Sequence, residues 1–132
     1  MSDTPPPPDV EAVATANQRF YDAHEERDLD AMRAIWLHSD RAVCVHPGWP
    51  ILRAWASVEE SWRRIFSGPG RSQFILTNVA IDVAGGAAWV TLEENLVDRG
   101  DTNAIAATNI FVRTADDGWK LVAHHGSPVM VS

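Results

Sequence analysis

The chain has 132 residues, 45% hydrophobic and 22% charged, which is one domain's worth of sequence with enough apolar surface to fill a core without disulfides or metals. Eighteen Asp and Glu against 11 Lys and Arg give a formal net charge of −7, which argues against nucleic acid and against an anionic membrane surface, since both need clustered positive charge. A single cysteine, Cys44, excludes an internal disulfide and, with no signal-like segment at the N-terminus and no run of membrane-spanning length, points to a cytoplasmic protein.

Residues 1–8, MSDTPPPP, read as a disordered, proline-rich tail, leaving 9–132 as one domain. Asp9 is placed to cap a first helix over about 9–26, whose inner stripe (Val13, Asn17, Phe20, His24, with Tyr21 beside it) is apolar but carries polar groups. Asp28 is placed to cap a short second helix carrying Leu29, Met32, Ile35 and Trp36. RAVCVH, over 41–46, reads as a short strand broken by the loop Pro47-Gly48-Trp49-Pro50. Ser57 and Glu60 match a capping box for a third helix running to about Phe66, with Val58, Trp62 and Ile65 on one face. From Ser72 onward the apolar period falls to two, and turn signals at Gly85-Gly86, Arg99-Gly100-Asp101 and Asp116-Asp117-Gly118 divide the rest into four strands.

Helices first and hairpins afterwards specify an α+β fold: three N-terminal helices packed on a curved, mostly antiparallel sheet. Helices laid over the concave face of a twisted sheet can leave a cavity, and six Trp against one Tyr and four Phe suit either a heavy core or a lined pocket. In the last strand Lys120 marks the outer side, so strict alternation turns His125 and Ser127 inward, unless a bulge intervenes. The outer face carries apolar residues as well, which points to a homodimer formed through the sheet.

The segments RFYDAHEERDLDAMRAIW, VCVHPGWPILRAW, EESWRRIF and TNIFVRTADDGWKLVAHHGSP together resemble SnoaL-like domains of the NTF2-like superfamily, over about residues 10–130. The resemblance implies a cone-shaped half-barrel related in fold to ketosteroid isomerase. It does not imply that activity. The isomerases' catalytic Asp before a Pro corresponds to His46, their oxyanion Tyr falls near Phe20 with Tyr21 one place off, and their partner acid falls within 106–110, where no acid stands.

The candidate acid–base residues are His46, Glu93 and His125. His46 ends a strand before a proline-rich loop and can serve as a base near neutral pH or simply anchor the loop. One of Glu93 and Glu94 must face the interior, where burial raises a carboxyl pKa; Glu93 is the candidate, with a structural partner as the other reading. His125 is either a catalytic group or a satisfied core imidazole. Phe20, Tyr21, Trp36, Trp49, Trp55, Asn109 and Ser127 are candidate ligand contacts, with Trp49 as a pocket lid. No HxxxH, HxH or CxxC occurs, so no metal or other cofactor is expected. Two functions stay open: acid–base chemistry (isomerisation, cyclisation or dehydration) on a small apolar carbonyl compound, or a non-catalytic binding or association module with a sheet-mediated oligomer.

Overall fold

In the computed structural model, which describes residues 7–98 and 101–130, the first element is helix α1 (Pro7–Glu26). It starts at Pro7, inside the segment read as a tail, because a first-turn proline lacks only an N–H that would have no intrahelical partner. Asp9 pairs with Arg113 of a distant strand. Val13, Asn17, Phe20 and Tyr21 form the buried face that the helical period predicts. Arg27 ends the helix at φ 56, a left-handed backbone that usually selects glycine, and the Asp28 N–H returns to the Ala23 carbonyl at 3.0 Å. Asp28 then caps α2 (Leu29–Ile35) by accepting from the Ala31 N–H at 3.0 Å.

Helix α3 (Trp55–Ser67) begins two residues before the expected cap, and the Ser57–Glu60 capping box does not form. Tertiary contacts set its start. Trp55 stacks on His38 at 4.4 Å between centroids, its N–H bonds the Ser39 carbonyl at 3.1 Å, and the Ala54 N–H bonds the Ala42 carbonyl at 2.8 Å.

Six strands make one open, mixed sheet in the order β2-β1-β6-β5-β4-β3. These are β1 (Val43–Val45), β2 (Leu52–Arg53), β3 (Phe74–Ala84), β4 (Ala87–Asp98), β5 (Asp101–Thr114) and β6 (Gly118–Pro128). β3 to β6 form the expected antiparallel meander, while β1 joins β6 in parallel and carries β2, which is too short to show a period in sequence. The three helices cover one face, where Trp36, Trp62, Tyr21, Phe20, Phe111 and Leu121 are the large, fully enclosed core side chains.

A β-bulge decides what β6 sends inward. Ile110 pairs with Ala123 and Phe111 with Leu121, so Val122 is the extra residue and alternation inverts beyond it. Leu121, His124 and Gly126 therefore face the core, and His125 and Ser127 face out. Gly126 is needed as glycine: a Cβ there would meet Ile105 Cγ2 at 3.1 Å and Pro47 Cγ at 3.4 Å. Asp28→Ala should lower unfolding stability by about 1 kcal/mol through loss of the α2 cap. Urea denaturation measures it, and an unchanged midpoint with unchanged slope would show the cap idle.

Candidate functional site

Beneath α1 and α3 the inner face of the sheet carries a chain of buried polar groups. Asn109, on β5, donates its Nδ2 to Asn17 Oδ1 at 2.9 Å and to the Tyr21 hydroxyl at 3.1 Å. Tyr21 donates its own proton to Glu94 Oε2 at 2.5 Å, and Asn109 Oδ1 lies 2.5 Å from His124 Nδ1. Because the Asn109 oxygen can only accept, His124 carries its proton on Nδ1. The His124 ring lies 4.8 Å from Phe20 and 6.4 Å from the rings of both His46 and Trp62. Trp62 also receives the edges of His24 at 5.1 Å and His46 at 4.7 Å.

His46 is anchored from α3: its Nε2 lies 2.8 Å from Ser61 Oγ, and Ser61 donates to the Val58 carbonyl at 2.6 Å. The hydroxyl proton is thus committed to a carbonyl, and the imidazole must donate to the hydroxyl. An activated serine nucleophile needs the opposite polarity, so Ser61 positions His46.

The predicted site residues fall in three places. Phe20, Tyr21, Asn109 and His46 meet in the interior, with Trp49 against the His46 ring at 4.8 Å. Trp36 and Trp55 form a separate pair, 6.1 Å apart, beside α2. Glu93, His125 and Ser127 lie on the outer face, against the inward parity expected for His125 and Ser127 and against the choice of Glu93 as the interior candidate, and the neighbours Glu94 and His124 take the interior. For His125 and Ser127 the cause is the Val122 bulge; for Glu93 the pairing of β4 with β5 settles a parity that sequence left open. Sequence reasoning also passed over Asn17 and His24 as site residues, although their place on the inner stripe was legible, and Ser61, whose i+15 relation to His46 gave no local signal.

A SnoaL-like domain model matches residues 13–132. The chain belongs to the SnoaL-like domain family. A structure from Streptomyces avermitilis, provisionally described as a dehydratase of the NTF2-like family, is 39% identical, with a TM-score of 0.88 over 96% of this chain and 100% of that one. A structure from Thiobacillus denitrificans, provisionally described as a calcium/calmodulin-dependent protein kinase type II association domain, is 32% identical, with a TM-score of 0.81 over 98% of this chain and 100% of that one. The curated F-box protein SKIP8 of Arabidopsis thaliana is 29% identical over 121 residues, 91% of this chain, and the chain spans about half (51%) of its length.

The electrostatics of this SnoaL-like domain are those of burial. Enclosure lowers His24 and His46 to about 4 and takes His124 well below its ordinary range, so all three are neutral near pH 7. Enclosure raises Glu94 to about 7, against the pull of the Tyr21 hydrogen bond, and drives the Tyr21 phenol and the Cys44 thiol upward. A carboxyl held at about 7 can give or take a proton near neutral pH. Phe20, Trp62 and Asn109 are wholly enclosed. Two surface clefts touch the edge of the interior, one of about 200 Å³ at His24 and one of about 370 Å³ at Trp49 and Ser61. Among the described residues no three His, Cys, Asp or Glu side chains are grouped to hold a metal, and no helix is long and apolar enough to cross a membrane.

Glu94 makes a signed prediction. Its folded pKa of about 7 exceeds its ordinary 4.5, so between those values the folded chain holds a proton that the unfolded chain has released. This group's contribution to stability therefore falls as pH rises through that window. Glu94→Gln removes the loss and should gain on wild type by about 3 kcal/mol from pH 4.5 to pH 8. Urea unfolding of both proteins across that range reads the difference; a pH-independent difference would refute the raised pKa.

Proposed function

We propose that this SnoaL-like domain is a self-associating module, with a second copy of the chain seated on the outer face of the sheet. The observation that carries the reading is the Trp89–Ile110 cross-strand pair, which stands on the uncovered face with exposures of 39% and 36%. Ile75 on β3, paired with Asn95 of β4, extends the same face at 55%. Exposed apolar side chains contiguous over a sheet mark an interaction surface. Beside the ridge lies a shallow trough of about 400 Å³, with Thr91, Ala106, Thr108, His125 and Ser127 in its lining. Ridge and trough on one surface suit a two-fold contact, in which the ridge of each copy enters the trough of the other. Asn17, Tyr21, Glu94, Asn109 and His124 bond one another, as a structural network does, and the 32% identical association-domain structure adds support. The single, buried cysteine fits a reducing, cytoplasmic setting.

Sedimentation equilibrium tests this. Wild type should be dimeric at micromolar concentration, and Trp89→Glu, which touches no core residue's place, should be a folded monomer. A monomeric wild type, or a dimeric Trp89→Glu, would remove the reading.

One observation favours a second reading. Glu94 is held near half-ionisation at neutral pH beside Tyr21, an arrangement suited to isomerisation, cyclisation or dehydration of a small apolar carbonyl compound, and a 39% identical structure carries the provisional dehydratase description. A thermal-shift screen of such compounds distinguishes it: a ligand that stabilises wild type and not Glu94→Gln supports chemistry, and no stabilisation by any compound leaves association alone.

A further inference from the structure

The cleft of about 200 Å³ at His24 belongs neither to the outer face nor to the buried polar network. It opens where α1 ends against the end of α3 and the turn that follows. Three of its lining residues carry positive or polar nitrogen groups (His24, Arg27 and Arg71), three supply apolar wall (Ile65, Phe66 and Pro69), and no Asp or Glu lines it. In a chain of net charge −7, a cleft without a carboxylate is a local reversal of sign. Of the acids adjoining His24 and Arg27 in sequence, Glu25 is turned to the Phe74 N–H at 3.3 Å, Glu26 lines a different cleft and Asp28 caps α2.

Arg27 is set in place before any ligand arrives. Its Nε donates to the Phe66 carbonyl at 3.1 Å and its Nη2 to the Ile65 carbonyl at 2.9 Å, with Phe66 and Gly68 carbonyls also on Nη2. Among the described residues Nη1 is given no partner, so one edge of the guanidinium is left for other acceptors. His24 contributes a buried Nδ1 without a hydrogen-bond partner. Arg71 is exposed and lines the same cleft.

We propose that this cleft binds a small organic anion, a monocarboxylate with an apolar body, its carboxylate between Arg27 and Arg71 and its body against Ile65, Phe66 and Pro69. The volume lies below the ~300–1,000 Å³ of sites for drug-sized ligands, so the ligand is correspondingly small. The site stands independently of self-association, since it lies on the helical side of the sheet.

Isothermal titration of the full chain with sodium benzoate, and with benzamide as its neutral counterpart at matched ionic strength, tests the proposal. Benzoate should bind saturably and at least tenfold more tightly than benzamide. Arg71→Gln should weaken benzoate at least tenfold with the far-ultraviolet circular dichroism unchanged, whereas Arg41→Gln, which removes the same charge elsewhere on the surface, should not. Absent saturation, equal binding of the two probes, or equal loss in both arginine variants would each overturn the site.

Discussion

The side chain of Asn109 is the constraint around which the inner face is organised. It stands in the middle of β5 and is fully enclosed, so each of its hydrogen-bonding groups must find a protein partner. Its amide nitrogen finds Asn17 and Tyr21 on α1, and its oxygen finds His124 on β6. One side chain thus fixes the first helix, the central strand and the last strand relative to one another. Tyr21, so positioned, reaches Glu94 on β4. A register slip of one residue in β5 would turn Asn109 to the outer face and take a partner from Asn17, Tyr21 and His124 at once. The network is therefore a specification of register as well as a set of acid–base groups.

Electrostatically the same enclosure acts in two directions. His24 and His46, neutral when folded and basic when not, make the fold lose stability as pH falls through about 6.5 to 4, because the unfolded chain then binds protons that the folded chain refuses. His124 adds to this with the same sign. Glu94 has the opposite sign across an overlapping window, holding a proton in the folded state. Three imidazoles outweigh one carboxyl, so the interior disfavours acid, and the buried imidazoles are uncharged near neutrality. That is how a polar chain can sit in a core: as hydrogen-bonded neutral dipoles, without the desolvation cost of ions.

Much of the fold was legible because it depends on local period and turn chemistry. The α1 stripe, the Asp28 cap, the Gly85-Gly86 turn and the four-strand meander all announce themselves within a few residues. What was not legible depends on contacts distant in sequence. The start of α3 is set by Trp55 against His38 and Ser39, which no capping pattern encodes. β2 has two residues and exists only because β1 is beside it. The Val122 bulge mattered most, since one extra residue exchanged His125 for His124 in the candidate site. The resemblance to SnoaL-like domains fixed the family and architecture, and it directed attention to HPGWP and to the final strand. The structure shows why those two segments belong together: β1 runs parallel to β6, Pro47 lies over Gly126, and the rings of His46 and His124 are 6.4 Å apart.

The alternation of the sheet also explains how one family can hold neighbours described in terms as different as dehydratase and association domain. On β4, Glu93 faces out and Glu94 in; on β6, His125 faces out and His124 in. Each strand carries two independent inventories, one against the helices and one against whatever covers the outer face. Substitutions at odd positions beyond the bulge of β6 alter the surface offered to a partner and leave the Asn109 network intact. Substitutions at even positions alter the chemistry of the interior and leave the partner surface intact. A fold with this division can gain or lose catalysis while its association is held constant, or the reverse, so architecture alone does not select between them. What selects is whether a small molecule can reach the inner groups. In this chain the rings of Phe20 and Trp62 pack around His124 at 4.8 and 6.4 Å, with all three side chains buried, so access to this imidazole requires movement of an aromatic wall.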